Sequence, residues 1–178
     1  MEKNGSHVER ARTIIHNLLG FARRMEPAKE KINSNNLLDE TTGLLENEAR
    51  YVNITINKQY ADDVPVITSD LSQLQQVVLN LLNNAIDAIG SDGTVTVGSR
   101  YLEKSNQVEL WVGDTGAGIA EADLGKIFEP FFTTKAVGKG TGLGLSISYS
   151  IIEKLGGTMR VQSKVGEGTV FSITLPKN

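Results

Sequence analysis

The sequence predicts an α+β domain, a two-layer α/β sandwich whose mixed sheet carries its helices on one face, preceded by one helix of a helical bundle. Three observations support this fold class. A regular apolar seam occupies residues 6–26. Apolar residues then recur in turn with the period of strands, two residues, and with that of helices, 3.6 residues. Fifteen of the 18 glycines fall between Gly90 and Gly168. Glycine is favoured where the backbone needs positive φ or close approach.

Residues 6–26 predict the bundle helix. Apolar side chains recur there at intervals of three and four residues, at Val8, Ala11, Ile15, Leu18, Ala22 and Met25. One helix cannot bury this seam alone, so we expect it to pair with a second copy in a homodimer. Pro27 ends the segment, and we expect a domain boundary between residues 1–30 and 31–178.

The remaining elements follow from the same two periodicities. Helices are predicted at about 34–49, from a cap at Ser69 or Asp70 to about Ile89, and at about 143–155. Strands are predicted at 51–60, 66–68, 94–102, 107–114, 158–163 and 169–175. An irregular glycine-rich stretch separates the fourth strand from the last helix, at 115–142.

Composition excludes several classes of protein. The 178 residues include no cysteine, which excludes disulfides and thiolate metal sites and agrees with a reducing compartment. The net charge of −3 gives no sign of a nucleic-acid partner. No apolar run reaches the roughly 20 residues of a membrane helix. We therefore expect a cytoplasmic fragment, whose parent could still be anchored in a membrane.

Two motifs place polar side chains where they can bind a metal ion or a small molecule. Asn80, Asn84 and Asp87 share one helical face, and an asparagine carbonyl is a suitable hard ligand for Mg²⁺. The alternative is a solvated polar face. Asp114 ends a strand and is followed by Thr-Gly-Ala-Gly-Ile, so its carboxylate can accept a hydrogen bond from an amino group such as that of adenine. The alternative is an ordinary turn.

Two further motifs lie in the glycine-rich stretch. Phe128, Phe131 and Phe132 precede Thr133-Thr134-Lys135 and suggest anchors of a mobile flap, or alternatively core filling. Gly138-Lys-Gly-Thr-Gly-Leu-Gly-Leu145 runs into a helix, where backbone N–H groups and the helix N-terminus form a phosphate cradle. It matches neither a Walker A loop nor a dinucleotide-binding loop. Lys135 and Lys139 are placed to meet phosphates, or are solvated charges.

These four motifs, in this order, resemble the N, G1, F and G2 boxes of the histidine kinase catalytic domain, which belongs with gyrase, Hsp90 and MutL to a wider ATPase group. The resemblance covers about 30–178 and implies the Bergerat ATP-binding fold. Residues 6–26 resemble the second helix of the dimerisation and phosphotransfer hairpin. The stretch Asn84-Ala-Ile-Asp87-Ala is similar to nitrogen-regulation-type sensor kinases.

The resemblance implies a binding set for ATP and Mg²⁺. Asn84 would ligate Mg²⁺, Asp114 would read the adenine amino group, Gly116, Gly118 and Ile119 would wall the base site, and Thr169 would support it. A lid would span about 120–140. The phosphate side would comprise Gly140, Thr141, Gly142, Leu143, Gly144 and Leu145, with Phe131, Thr134, Lys135, Lys139 and Asp87 completing the predicted contacts. Many histidine kinases carry lysine where Asp87 stands, which leaves a phosphate contact at this position in doubt.

The residue type at position 80, asparagine, bears on whether the site hydrolyses ATP or transfers its phosphate. In hydrolysing members of the group a glutamate stands here and activates water, whereas asparagine cannot accept a proton. We therefore expect ATP to be held for transfer of its γ-phosphate to a histidine, with relay to a response regulator receiver domain. We expect this histidine on a phosphoacceptor helix of the parent protein, because His16 lacks the acidic neighbour of the family motif and His7 stands near the start of the predicted helix. The alternatives are a nucleotide-binding regulatory module and a gyrase- or Hsp90-type ATPase.

Overall fold

The computed structural model describes residues 28–135 and 140–177. The helix predicted over 6–26 and the phosphate contact predicted for Lys139 lie outside these residues. The strands are β1 (Glu30–Ile32), β2 (Ile54–Tyr60), β3 (Ile67–Ser69), β4 (Gly93–Leu102), β5 (Gln107–Asp114), β6 (Thr158–Lys164) and β7 (Gly168–Pro176). The helices are α1 (Ser34–Gly43), α2 (Glu46–Tyr51), α3 (Leu71–Ile89), α4 (Glu121–Leu124) and α5 (Gly144–Lys154).

The main sheet has five strands in the order β2-β4-β5-β7-β6. Strand β2 runs parallel to β4 and every other neighbouring pair is antiparallel, so the sheet is mixed, as predicted. Strands β1 and β3 form a separate antiparallel pair. The predicted domain boundary between residues 30 and 31 falls within β1.

One face of the sheet packs against the helices. In β5, Val108, Leu110 and Val112 are buried while the residues between them are partly exposed, the period-2 pattern of a half-buried strand. Opposite them, α3 contributes the buried side chains Leu74, Val77, Val78, Leu81, Leu82, Ala85 and Ile86. Helix α3 contacts α1, α5 and three strands of the sheet. The predicted two-layer sandwich is therefore confirmed, with α3 at its centre.

Asp70 caps α3, one of the two residues predicted for this role. Its carboxylate accepts the Gln73 backbone N–H at 3.0 Å and the Ser72 hydroxyl at 2.7 Å. It also accepts the backbone N–H of Ala28 at 3.0 Å. Together with the pairing of β1 to β3, this bond attaches the start of the described chain to the start of α3.

The single helix predicted over 34–49 is wrong, because the structure divides it into α1 and α2. The Thr41 and Thr42 hydroxyls donate to the carbonyls of Leu37 and Leu38 at 2.7 and 2.5 Å, bonds that bend a helix. Gly43 follows and is a poor helix former. The break leaves Leu44 72% exposed while Leu45 turns into the core.

Three short elements were not predicted: β1, α4, which lies within the stretch expected to be irregular, and a 3-10 helix at Glu103–Ser105. Each has four residues or fewer, too few to show a periodicity. None of the helices in the described residues is both long and apolar enough to cross a membrane.

Candidate functional site

A cavity of about 530 Å³ opens between the C-terminal half of α3, the end of β5 and the glycine-rich segments. It brings together most of the predicted site residues. Those that line it are Asn80, Asn84, Asp87, Asp114, Gly118, Ile119, Thr134, Lys135, Gly140, Thr141, Gly142, Gly144, Leu145 and Thr169. Residues that are far apart in sequence therefore meet at one place.

Asp114 lies at one end of the cavity, half-buried at the end of β5. Burial raises the pKa of its carboxyl above the ordinary value, and this effect outweighs the backbone N–H groups of Gly116 and Thr169, which act in the opposite direction. The Gly116 N–H donates to Oδ1 at 2.8 Å. The result is an oriented carboxylate, able to accept a hydrogen bond from a ligand inside the cavity.

The two glycines after Asp114 are required by protein packing. A Cβ on Gly116 would lie 2.5 Å from the backbone carbonyl carbon of Ala88, on α3. Gly118 has φ of +72°, and a Cβ there would lie 2.2 Å from the carbonyl oxygen of Lys164. We predicted that both would let the backbone approach a base, but only Gly118 lines the cavity and Gly116 is buried beneath it.

Thr169 is 4% exposed, and a hydroxyl network surrounds it. Its hydroxyl lies 2.8 Å from that of Ser163, which accepts the Ile119 backbone N–H at 2.8 Å and donates to the Gly168 carbonyl at 3.0 Å. The network links β6 and β7 to the loop that walls the cavity. The support of the base site by Thr169 stays a prediction, and Ser163 was not predicted.

The opposite end of the cavity is formed where the last glycines run into α5. Gly142 has φ of +66°, and a Cβ there would lie 2.4 Å from the Phe131 carbonyl carbon. A Cβ on Gly144 would lie 2.3 Å from Asn80 Oδ1, on α3. The alternating glycines therefore let the start of α5 pack tightly on α3, with the unpaired N–H groups of the helix N-terminus at the cavity.

Known proteins resemble this chain in sequence and in fold. The curated relative CckA, a sensor kinase of Brucella abortus, is 39% identical over 96% of the chain, which spans only 19% of that relative. The catalytic domain of the histidine kinase ThkA superposes with a TM-score of 0.75 at 35% identity, covering 84% of this chain and 95% of that one. Residues 69–178 match the family of histidine kinase-, DNA gyrase B- and HSP90-like ATPases.

The chain belongs to this family, as the ATP-binding catalytic domain of a sensor histidine kinase. Full-length ShkA, whose structure is a complex with AMPPNP, superposes with a TM-score of 0.83 at 26% identity, covering 99% of this chain and 39% of ShkA. ThkA in complex with the response regulator protein TrrA gives a TM-score of 0.82 at 30% identity, covering 98% of this chain and 49% of ThkA.

Three of the predicted residues that the structure describes do not line the cavity of the catalytic domain. Gly116 and Leu143 are buried behind its wall. The side chain of Phe131 is 71% exposed, and its backbone has φ of +68°, an unusual conformation for a bulky residue. The Phe131 N–H donates to the Gly142 carbonyl at 2.9 Å, so this turn joins the phenylalanine motif to the phosphate loop.

Seven lining residues of the catalytic domain were missed by the sequence analysis. They are Asn83, Ala88, Ala117, Ile127, Phe132, Thr133 and Phe171. Phe132 and Thr133 stood in a motif already singled out, and Ala88 lies one residue after Asp87. Ile127 and Phe171 carried only the signal of ordinary core residues.

Asn80 connects the two helices of the catalytic domain that meet at the cavity. Its Nδ2 donates to the Ser148 hydroxyl at 2.9 Å, and Ser148 lies on α5 and is 2% exposed. An amide in this position can donate and accept hydrogen bonds but cannot remove a proton at neutral pH.

Proposed function

We propose that the catalytic domain binds Mg-ATP, with the base at Asp114 and the phosphates along α3 and the start of α5. We propose further that the γ-phosphate passes to a histidine on a helix outside this chain, and then to an aspartate of a response regulator. The observation that carries the proposal is the cavity itself, which joins a half-buried carboxylate at one end to a glycine-lined helix N-terminus at the other. The AMPPNP complex of ShkA and the TrrA complex of ThkA support it.

The base end fits an adenine. The Asp114 carboxylate would accept the hydrogen bond of the exocyclic amino group, while the Gly116 N–H holds Oδ1 in place at 2.8 Å. Ile119 and Phe171 supply apolar walls to the same cavity. Because burial weakens competition by water, a single carboxylate can provide specificity for an amino-substituted base.

The phosphate end fits a triphosphate and a hard cation. Asn84 lines the cavity one helical turn from Asn80, and its amide oxygen would hold Mg²⁺, which neutralises phosphate charge when bound. Backbone N–H groups at the start of α5 would donate to phosphate oxygens, and the helix dipole favours the same charge. These residues bind and orient the phosphates.

Asn80 favours transfer to a histidine over hydrolysis. Its amide is engaged with Ser148 at 2.9 Å and supplies no base to activate water. In phosphoryl transfer most of the catalytic effect comes from positioning and charge neutralisation, so a nucleophile brought from outside the cavity is sufficient.

The wider setting of the domain also belongs to the proposal. The apolar seam of residues 6–26 supports a homodimer built through that helix. A cytoplasmic location suits an enzyme that uses ATP, and the Asn84 to Ala88 sequence supports the nitrogen-regulation-like type. We expect light scattering to show mass rising from monomer toward dimer between micromolar and millimolar concentration, and a strict monomer throughout would contradict the dimer.

Calorimetric titration with a non-hydrolysable ATP analogue tests the binding site. We expect Mg²⁺ to strengthen binding to the wild type. Asp114→Asn should weaken it about 10- to 100-fold, the usual effect of losing a hydrogen bond to a charged group. Asp62→Asn, an exposed carboxylate outside the cavity, is the matched control. Equal affinity of Asp114→Asn and wild type would refute the base assignment.

The transfer step needs a separate test. The chain would be extended at its N-terminus by the phosphoacceptor helix of a sensor kinase and incubated with γ-labelled ATP. We expect an acid-labile phosphohistidine on the added helix, and little release of free phosphate. Rapid phosphate release with no labelled protein would favour an ATPase instead.

A further inference from the structure

An ion pair crosses the cavity between α3 and the segment that follows the phenylalanine motif. Lys135 Nζ lies 2.5 Å from Asp87 Oδ2, and both residues line the cavity. The two side chains keep 37% and 57% of their surface exposed. The pair therefore joins two lining segments of the cavity by a contact that water can reach.

The position of Asp87 along α3 determines where the ion pair crosses the cavity. Seven residues earlier, Asn80 lies against Gly144 at the phosphate cradle. One residue later, the Ala88 carbonyl accepts the Ala117 N–H at 3.1 Å, beside the base site. Asp87 thus lies between the two ends. A nucleotide bound as proposed above must run its sugar and first phosphates past the Lys135–Asp87 pair.

The charges of the lining side chains bear on how a phosphate chain would interact with this ion pair. Among the described lining residues, the charged side chains are Asp87, Asp114 and Lys135, so acids outnumber bases. The two carboxylates repel an entering polyphosphate, and Lys135 is the described lining side chain whose charge attracts it. While Lys135 is paired with Asp87, the Asp87 carboxylate neutralises the ammonium group and competes with the phosphates for it.

We propose that Lys135 exchanges partners, from Asp87 to a nucleotide phosphate, and that the pair thereby makes affinity depend on the phosphate chain. Exposed ion pairs contribute little to stability, so Lys135 is released at small cost. Hydrogen bonds from an ammonium group to phosphate oxygens are stronger than those between neutral groups. Lys135 then favours phosphate binding, whereas Asp87 opposes it by competing for Lys135 and by repelling the phosphates. This inference rests on the proposed placement of the phosphates along α3.

The two single variants are expected to act in opposite directions. Without Mg²⁺, Asp87→Asn should bind ADP and the non-hydrolysable ATP analogue roughly threefold to tenfold more tightly, because one repulsive charge is removed. Lys135→Gln should bind both more weakly by a similar factor. Adenosine carries no phosphate, so its affinity should be unchanged in both variants. Titration calorimetry of the whole chain with all three ligands measures this.

The outcomes separate exchange from a structural role. Equal weakening of phosphate binding by both variants, or no tightening in Asp87→Asn, overturns the proposal. Asp39→Asn is the matched control, since Asp39 pairs with Lys58 at 2.6 Å and does not line the cavity; it should change none of the affinities. If the wild type binds none of the ligands, the proposed nucleotide site fails as a whole. If binding persists and only the opposite signs are absent, the exchange alone is wrong.

Discussion

The two ends of the cavity are built by different means. Around Asp114 the contacts involve the backbone: N–H groups of Gly116 and Ile119 are bonded to side chains, and Gly118 packs on the Lys164 carbonyl. Toward the other end, side chains of separate segments also meet, Lys135 with Asp87 and Asn80 with Ser148, beside the backbone contact of Gly142 with Phe131.

This difference indicates a division of roles. Backbone contacts between strand ends and helix ends leave little freedom, so the base site is formed before any ligand arrives. The Lys135–Asp87 pair is exposed, and exposed ion pairs are weak and exchange readily, whereas Ser148 is buried against Asn80. With the nucleotide placed as proposed, we expect the phosphate end to adjust to the number of phosphates and to a cation, while the base end selects the ligand.

The largest expected effect is at a glycine of the base end. Gly118→Ala would place a Cβ 2.2 Å from the Lys164 carbonyl oxygen at positive φ. We expect a loss of about 3 kcal/mol in the free energy of unfolding, from backbone strain and overpacking together. Urea denaturation measures it. Gly125→Ala is the control, since Gly125 has φ of −72° and open space, and its stability should not fall. Equal stability of the two variants would show that the base end is not rigid.

A smaller effect is expected where α3 meets α5. Ser148→Ala leaves the Asn80 Nδ2 without its partner inside a tightly packed contact. We expect about 1–2 kcal/mol of destabilisation, and weaker binding of the ATP analogue with adenosine affinity unchanged. Ser150→Ala, on the same helix, controls for helix propensity. If Ser148→Ala leaves the free energy of unfolding and the binding of the analogue unchanged, this contact does not hold the phosphate end together.

The burial of Asp114 predicts a stability that depends on pH. Its pKa is raised from 3.8, so the folded state binds this proton more tightly than the unfolded state. Stability is therefore lost as pH rises from 3.8 through the raised pKa. We expect Asp114→Asn to raise Tm by about 2–4 °C at pH 7.5, with the difference shrinking as pH falls toward 3.8. A difference that is independent of pH would contradict this account.

The smallest effect is expected on the stability of the protein when the ion pair at the phosphate end is broken. Lys135→Gln breaks a pair whose side chains are 37% and 57% exposed, and should change the free energy of unfolding by about 0.5 kcal/mol or less. Thermal unfolding without ligand measures this. A loss of more than about 1 kcal/mol would mean that the pair is part of the rigid fold, and the contrast between the two ends would disappear.

Much of the site could be predicted from local patterns. Asn80, Asn84 and Asp87 share a helical face by spacing alone, and the cavity includes all three. Asp114 was found because a strand ends there and glycines follow. The break between α1 and α2 was not foreseen, since it depends on the Thr41 and Thr42 hydroxyls bending a helix whose apolar spacing continues.

Phe131 shows the limit of motif reasoning. Three phenylalanines in five residues suggested a common role, yet Phe128 packs on Tyr149 with ring centroids 4.9 Å apart while Phe131 faces solvent. The direction of a side chain after a turn depends on backbone φ. Here φ is +68°, and the Phe131 N–H donates to the carbonyl of Gly142, 11 residues away in sequence.

By itself, the sequence determined the fold class, the order of most elements and the four motifs, because periodicity and glycine placement act over a few neighbouring residues. Only the tertiary structure decided which partners those motifs have. Ser163 supports Thr169, Ser148 holds Asn80, and Lys135 meets Asp87 across 48 residues of chain. Such contacts depend on the packing of whole helices and strands, and no local pattern specifies where two distant segments come within hydrogen-bond distance.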